Sequence, residues 1–138
     1  MAGGGLTSFG AAQVLNFYLR GIAPTLPATF YLRLLTTPST KVSSGSESVY
    51  GNYARLALMR GTSLFTDPLL TSRSVNVAEL SFPAPSSGDD DIVAFDIVDT
   101  SSGAFTETYL FGNVQPHRSI IVGTRPIRFP AGSLVVTA

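Results

Sequence analysis

The chain has 138 residues, no cysteine and a formal net charge of zero. Its length suits one domain of ordinary size, and without cysteine neither a disulfide nor a thiolate metal site can form. Only 13% of the residues are charged, against about 25% in an average globular domain. Such a surface lacks the self-repulsion that keeps monomers apart, so we expect partners, including copies of the chain, to cover part of it. The alternative is a monomer with an uncharged Ser/Thr-rich surface.

The charge balance and the apolar runs exclude two classes of partner. Dedicated nucleic-acid binders usually carry a basic surplus, whereas nine Lys and Arg here are matched by nine Asp and Glu. No apolar run approaches the roughly 18 residues of a transmembrane helix, and the first residues do not resemble a secretory signal. We therefore predict neither a nucleic-acid partner nor a membrane partner.

The beginning of the chain predicts a flexible arm followed by one helix. Three consecutive glycines favour an arm over residues 1–6 that orders on a partner. Thr7 or Ser8 can cap a helix that ends at Arg20, because Gly21 is a typical helix stop. The apolar residues of this helix recur at helical spacing; they are Ala11, Val14, Leu15, Tyr18, Leu19 and Ile22.

The remainder predicts about eight short strands separated by turn signals. Between residues 75 and 82 the apolar phase slips, which indicates a bulge or two short strands. The strongest strand has Val93, Phe95 and Ile97 facing inward, and the segment after the next turn is its expected hairpin partner. The predicted strands are 29–36, 53–60, 75–82, 92–98, 106–111, 119–122, 126–129 and 134–137.

These elements predict a mainly-β fold, an antiparallel β-sandwich or barrel of jelly-roll type with one N-terminal α-helix closing one end. No internal repeat and no second composition block is present, so a single domain over residues 1–138 suffices. Residues 37–52 are rich in Ser, Thr and Gly and are predicted to form a long polar loop. Loops of this length are uncommon and are often functional.

The sequence offers few groups for chemistry. His117 is the only histidine, so it cannot build a His-type metal site, and no G-x-S-x-G elbow accompanies it. The carboxylates at 89–91 could ligate Ca²⁺, but a solvated turn is favoured because the later Glu of an EF-type loop is missing. Asp96 and Asp99 could pair as acid and base, although a strand face and a turn cap are the usual roles. We predict no catalytic residue, no cofactor and no metal.

Four aromatic side chains could form a stacking platform for sugars or bases, although half-buried strand positions are the default interpretation. They are Tyr50, Tyr53, Tyr109 and Phe111. A carbohydrate-binding module or a glycan hydrolase on a virion is the function that such a platform would serve.

Four segments, taken in order, span nearly the whole chain. They are residues 15–21 with 30–34 and 36–38, the run Gly51-Asn52-Tyr53-Ala54-Arg55, residues 82–83 with 95–99, and residues 130–137. Together they resemble a group of small virion proteins of tailed bacteriophages, described as tail-fibre-like, minor tail or capsid decoration proteins, in which the second segment reads Gly-x-Tyr-Ala-Arg. The chain departs from that pattern near the third segment, where a Trp and a Gly are absent.

The resemblance implies a non-enzymatic structural protein of the virion, assembled in the host cytoplasm. The leading hypothesis is a capsid cement or decoration protein that binds the outside of the major capsid protein shell, stabilises the head and associates with its own copies as a dimer or trimer. The alternative is a tail fibre or minor tail protein that contacts the host surface.

The candidate contact residues fall into two groups. The first lies in segments that can order on a partner, and the second contains residue types that are enriched at binding hot spots. For the second group a core tyrosine and a loop-clamping arginine are an equal alternative. The candidates are Gly3, Gly4, Gly5, Lys41, Ser44 and Ser46 in the first group, and Tyr53 and Arg55 in the second.

Overall fold

The computed structural model describes residues 4–61, 63–68, 73–88, 90–104, 108–120 and 125–137. In this part of the chain a short strand, β1 (Gly4–Leu6), precedes one helix, α1 (Ser8–Arg20). The strands that follow are β2 (Thr29–Leu35), β3 (Leu56–Met59), β4 (Arg73–Val75), β5 (Leu80–Ser81), β6 (Asp90–Val98), β7 (Thr108–Ile120), β8 (Arg128–Phe129) and β9 (Val135–Thr137).

Five strands form one antiparallel sheet in the order β1-β7-β6-β2-β3. The other described strands pair as β4 with β9 and β5 with β8. The prediction of a mainly-β, antiparallel fold with one N-terminal helix is confirmed. The described strands are sandwich-like in arrangement and do not close into a barrel.

The core lies between one face of the five-stranded sheet and the two small strand pairs. Leu32 and Leu34 of β2 stand opposite Ile97 and Phe95 of β6, and all four are buried. Alternate residues of a strand point to one face, so these side chains share a face of the sheet. The small pairs and the segments beside them contribute Phe82, Ile127, Phe129 and Leu134. Val93, predicted to face inward with Phe95 and Ile97, is only half-buried.

β7 is longer than the sequence indicates and joins two predicted strands into one. Its partner β6 begins at Asp90, inside the predicted acidic turn, and the two strands pair from Asp90 opposite Ile120 to Val98 opposite Thr108. The backbone of His117 therefore lies in β7. The register shifts where Pro116 lies, which lets a residue without an N–H fit into a long strand.

The other strand predictions hold in part. The predicted strand 53–60 shortens to β3, and the phase slip between 75 and 82 becomes the two short strands β4 and β5.

Residues 4–6 are not the flexible arm that the glycines suggest. They form β1, which pairs with β7 with Gly5 opposite Phe111 and Leu6 opposite Leu110. Gly5 has a φ of 140°, a conformation that glycine adopts at little cost. Gly3 and the rest of the predicted arm lie outside the described residues.

The helix α1 begins and ends where the sequence predicts, because the residues that cap its two ends are local to it. The Thr7 hydroxyl accepts a hydrogen bond from the Gly10 N–H (3.1 Å) and donates one to the carbonyl of Thr108 (2.5 Å). Gly21 ends the helix in the left-handed conformation, with a φ of 66°. A Cβ on Gly10 would lie 2.5 Å from the carbonyl oxygen of Tyr109, so glycine allows α1 to rest directly on β7.

Candidate interaction surfaces

The segment between β2 and β3, residues 36–55, forms an irregular covering loop. Its Ser39 bonds Asp96 on the sheet face opposite the core, whereas its Tyr50 belongs to the core. The Ser48 N–H donates to the carbonyl of Leu34 (2.9 Å), and the Ser8 N–H donates to the carbonyl of Lys41 (2.8 Å). An isolated bridge joins Leu35 and Glu47. These bonds attach the loop to β2 at one point and to the start of α1 at another.

A buried ion pair lies beneath the covering loop. Arg33 of β2 donates from Nε and Nη2 to the two carboxylate oxygens of Asp96 in β6, at 2.7 and 2.5 Å. The side chains of Arg33 and Asp96 are 4% and 0% exposed. The Ser39 hydroxyl adds a bond of 2.7 Å to Asp96 and accepts one of 2.8 Å from the Gly45 N–H. The carboxylate that neutralises the arginine therefore also holds the loop.

Glu47 joins this ion pair to a second ionic cluster. Arg55 donates to both oxygens of Glu47 at 2.9 Å, the Tyr53 hydroxyl donates to it at 2.7 Å, and Arg33 Nη1 lies 3.7 Å away. Burial alone would raise the pKa of Glu47, but the hydrogen bonds from Arg55 and Tyr53 and the charges of the two arginines hold this pKa below its ordinary value. Burial and the neighbouring Glu47 raise the pKa of Tyr53.

Tyr53 and Arg55 make internal contacts. The Tyr53 hydroxyl accepts a bond from the Leu34 N–H (3.1 Å). Arg55 also donates to Thr100 and to the carbonyl of Gly103, at 2.9 and 2.7 Å, which ties the covering loop to the turn after β6. The observed contacts match the core-and-clamp alternative for these two residues, and their contact with a partner stays a prediction.

The three predicted contact residues of the covering loop present exposed side chains on a held backbone. Lys41 and Ser44 lie near the start of α1 and of β7, where the Ser44 hydroxyl is 3.5 Å from that of Thr108. The Ser46 N–H donates to Thr37 Oγ1 (2.8 Å). Lys41 and Ser44 therefore lie on one surface with the beginning of the helix, Ser46 lies beside Thr37, and Tyr53 and Arg55 make their contacts elsewhere.

The sequence indicates the apolar stripe of α1 but does not predict that the stripe is exposed. The outward face of α1, defined here as Val14, Leu15, Tyr18 and Leu19 together with Ile22 just after the helix, is turned to solvent; Leu15, Tyr18 and Leu19 are 55%, 75% and 78% exposed. The residues that α1 turns toward its own domain include the buried Gly10 and the half-buried polar Gln13 and Asn16. The helical spacing shows that an apolar stripe exists, but an amphipathic pattern does not say what covers the stripe.

Two of the carboxylates considered for chemistry make contacts within the domain, while Asp89 and the side chain of His117 lie outside the described part of the chain. Asp96 is ion-paired and buried, and Asp90 accepts bonds from the Ser48 hydroxyl (2.6 Å) and the Val49 N–H (3.1 Å). Tyr50 and Tyr109 are buried, so the four aromatic rings do not form an exposed platform. Within the described ranges no group of three or more acidic, His or Cys residues is placed to hold a metal ion.

In the described part of the chain, α1 is too short to cross a membrane.

Comparison with known proteins gives one family. The family model described as "Podophage GP4 fiber I protein gp80" matches residues 5–137 of the chain. No curated protein matches the chain significantly. The family match extends from β1 to the end of β9 and so includes α1, the covering loop and both ionic clusters.

Proposed function

The chain belongs to the family described as podophage GP4 fiber I protein gp80, and from this premise we propose that it is a structural subunit of a fibre on the phage virion. The resemblance to virion structural proteins of tailed phages is thereby confirmed at the level of the family. The single observation that carries the proposal is the family match from residue 5 to residue 137.

The family reverses the order of the two hypotheses drawn from the sequence. Capsid cement was the leading hypothesis and the tail fibre was the alternative, but the description of the family names a fibre. We therefore take the fibre subunit as the function and retain the cement protein only as the rival that an experiment must exclude. Binding to the major capsid protein has no support from the family description.

The subunit acts by contact, without catalysis. The acid and tyrosine groups that invite a chemical interpretation, Asp96 and Tyr53, are committed to bonds within the domain. These bonds fasten a long loop onto a five-stranded sheet, and such a network makes a stiff module with a defined outer surface. A stiff module suits a subunit that transmits load and presents contact surfaces to copies of itself and to other virion proteins.

Locating the chain on purified virions tests the proposal. We expect an antibody or a small C-terminal tag on this chain to be seen by immunogold electron microscopy on fibres. Quantitative mass spectrometry should give a few to a few dozen copies per particle, with the major capsid protein as the internal standard. Gold distributed over the head, together with hundreds of copies per particle, would establish the cement protein instead.

A further inference from the structure

The outward face of α1 exposes apolar side chains that the domain does not use for its own core. We propose that this face is a self-association site and that its occupant is the same face of a second copy of the chain. The inference rests on the proposed function in one respect: several copies of the chain must meet at one place in the particle. The physical argument concerns the isolated protein.

An ordinary surface helix turns its apolar stripe toward the core, whereas α1 packs Phe9 against Tyr109 and leaves a second apolar face in solvent. Here Gly10 is buried against β7, while Tyr18 and Leu19 point to solvent. Arg20, the only charged residue of the helix, lies on the other side and donates to Asn16 Oδ1 (3.1 Å). The outward face therefore carries no charge, although it lies where water would solvate one.

The exposed area is close to what a stable dimer needs. The residues of the outward face and the adjacent Phe17 are between 38% and 78% exposed, so together they present several hundred Å² of mostly apolar surface, against about 800 Å² per partner in an interface of standard size. Contiguous apolar patches of this size are uncommon on monomers and mark interaction sites. A short peptide or a small ligand would leave most of this area in water.

The shape of the surface fits a second helix. Ala11, Leu15 and Tyr18 follow one another at steps of four and three residues, the spacing that packs one helix against another, and Ile22 lies just beyond the end of the helix. Beside this ridge lies an apolar groove of ≈ 260 Å³. The groove is lined in part by Val14, Phe17, Tyr18, Pro24, Leu26 and Phe30. A ridge next to a groove on one surface is self-complementary under a two-fold axis, since each copy can place its ridge in the other's groove.

Charge also favours a copy of the same chain over a different class of partner. Two identical faces meet without repulsion only if they carry no like charges, and the outward face satisfies this condition in a chain of zero net charge. A membrane-surface helix has a polar face rich in Lys and Arg, whereas α1 contains one arginine. A strongly charged partner would find no complementary group on this face.

Sedimentation of the purified full-length chain tests the proposal, with Leu19→Glu as the variant and Val42→Glu as the matched control. Both positions are highly exposed, at 78% and 85%, so neither substitution should unfold the domain; circular dichroism verifies this. We expect the wild-type chain and Val42→Glu to form dimers at micromolar concentration. Leu19→Glu places two carboxylates in the interface and should weaken the dimer at least tenfold.

A cross-linking experiment tests the face directly, because the chain has no cysteine of its own. Tyr18→Cys, at the middle of the outward face, should give a disulfide-linked dimer under mild oxidation, and Val42→Cys should not. A wild-type chain that remains monomeric at 100 micromolar, or equal dissociation of the Leu19→Glu and Val42→Glu variants, would overturn the self-association site. Neither result would bear on whether the chain lies in the fibre, which immunogold labelling decides separately.

Discussion

Arg33 and Asp96 stand directly opposite each other on β2 and β6, and their side chains form a bidentate, almost completely buried ion pair. Desolvation of two charges is expensive, so a buried pair is not by itself evidence of stability. The role of this pair follows from its position beneath the covering loop. Asp96 also accepts the hydroxyl of Ser39, so the pair fixes the covering loop to a particular place on the sheet.

Removing one charge of this ion pair should destabilise the folded protein strongly, whereas removing both charges should not. We expect Arg33→Met to lower the free energy of unfolding by about 3–5 kcal/mol, because Asp96 is then buried without its cation. The double variant Arg33→Met/Asp96→Leu should recover most of that loss in urea denaturation. A double variant as unstable as the single one would contradict this account.

Replacing the other partner should cost less. In Asp96→Asn the guanidinium of Arg33 still lies 3.7 Å from a carboxylate oxygen of Glu47. We therefore expect a smaller loss in the urea midpoint than for Arg33→Met, at matched protein concentration and pH. The reverse order of the two midpoints would show that Glu47 does not compensate the arginine.

Glu47 should make the protein sensitive to acid. Its folded-state pKa is held below the ordinary value of 4.5, so the stabilisation it contributes is present above pH 4.5 and is lost as the pH falls through the folded-state pKa. Glu47→Gln should therefore be less stable at neutral pH and should show a weaker loss of urea midpoint below pH 4.5. The matched control is Glu79→Gln, which removes one carboxylate from an exposed side chain; we expect it to keep the acid sensitivity of the wild type. Identical pH profiles for the two variants would disprove the role of Glu47.

Tyr50 should make the protein sensitive to alkali. Burial, and to a smaller extent the charge of Asp90, raise the pKa of Tyr50 to about 12. A raised pKa means that the folded state favours the neutral phenol, so the stabilisation is complete below pH 10 and is lost as the pH rises toward 12. We expect absorbance at 295 nm to show late-titrating tyrosines, and Tyr50→Phe should remove the component near pH 12 while leaving that of Tyr53, whose pKa is also raised. Ionisation of all five tyrosines near pH 10, with the circular dichroism unchanged, would exclude this.

Local signals made part of the fold predictable. Thr7 and Gly21 mark the ends of α1 because a cap acts on the backbone of its own helix. The alternation of residues in β2 and β6 is strong enough to identify each strand from its own sequence. The length of β7 was not predictable, since its pairing with β6 beyond Gly112 overrides the break that Pro116 suggests.

The contact network was less accessible from the sequence. Arg33 lies between Leu32 and Leu34 of β2, so it points to the face of the sheet opposite theirs, where an arginine ordinarily contacts solvent. The covering loop is what buries it. Glu47 lies in a polar segment with no pattern of its own, so nothing in the sequence indicates that it links Arg33 to Arg55. Both the burial of these charges and the exposure of the α1 stripe depend on tertiary placement, which periodicity does not report.

Gly10 is the point at which α1 approaches the sheet most closely, and it offers a test of how the outward face is oriented. Alanine is a better helix former than glycine by about 1 kcal/mol, yet a Cβ at this position would lie 2.5 Å from the backbone oxygen of Tyr109. The clash involves backbone and cannot be relieved by a side-chain rotation, so Gly10→Ala should lower the free energy of unfolding by about 1–3 kcal/mol. Gly61→Ala is the matched control, since nothing lies within 4 Å of its Cβ, and it should be neutral in the same urea titration. A Gly10→Ala variant more stable than the wild type would mean that α1 does not rest on β7, and the apolar stripe would then be free to face the domain.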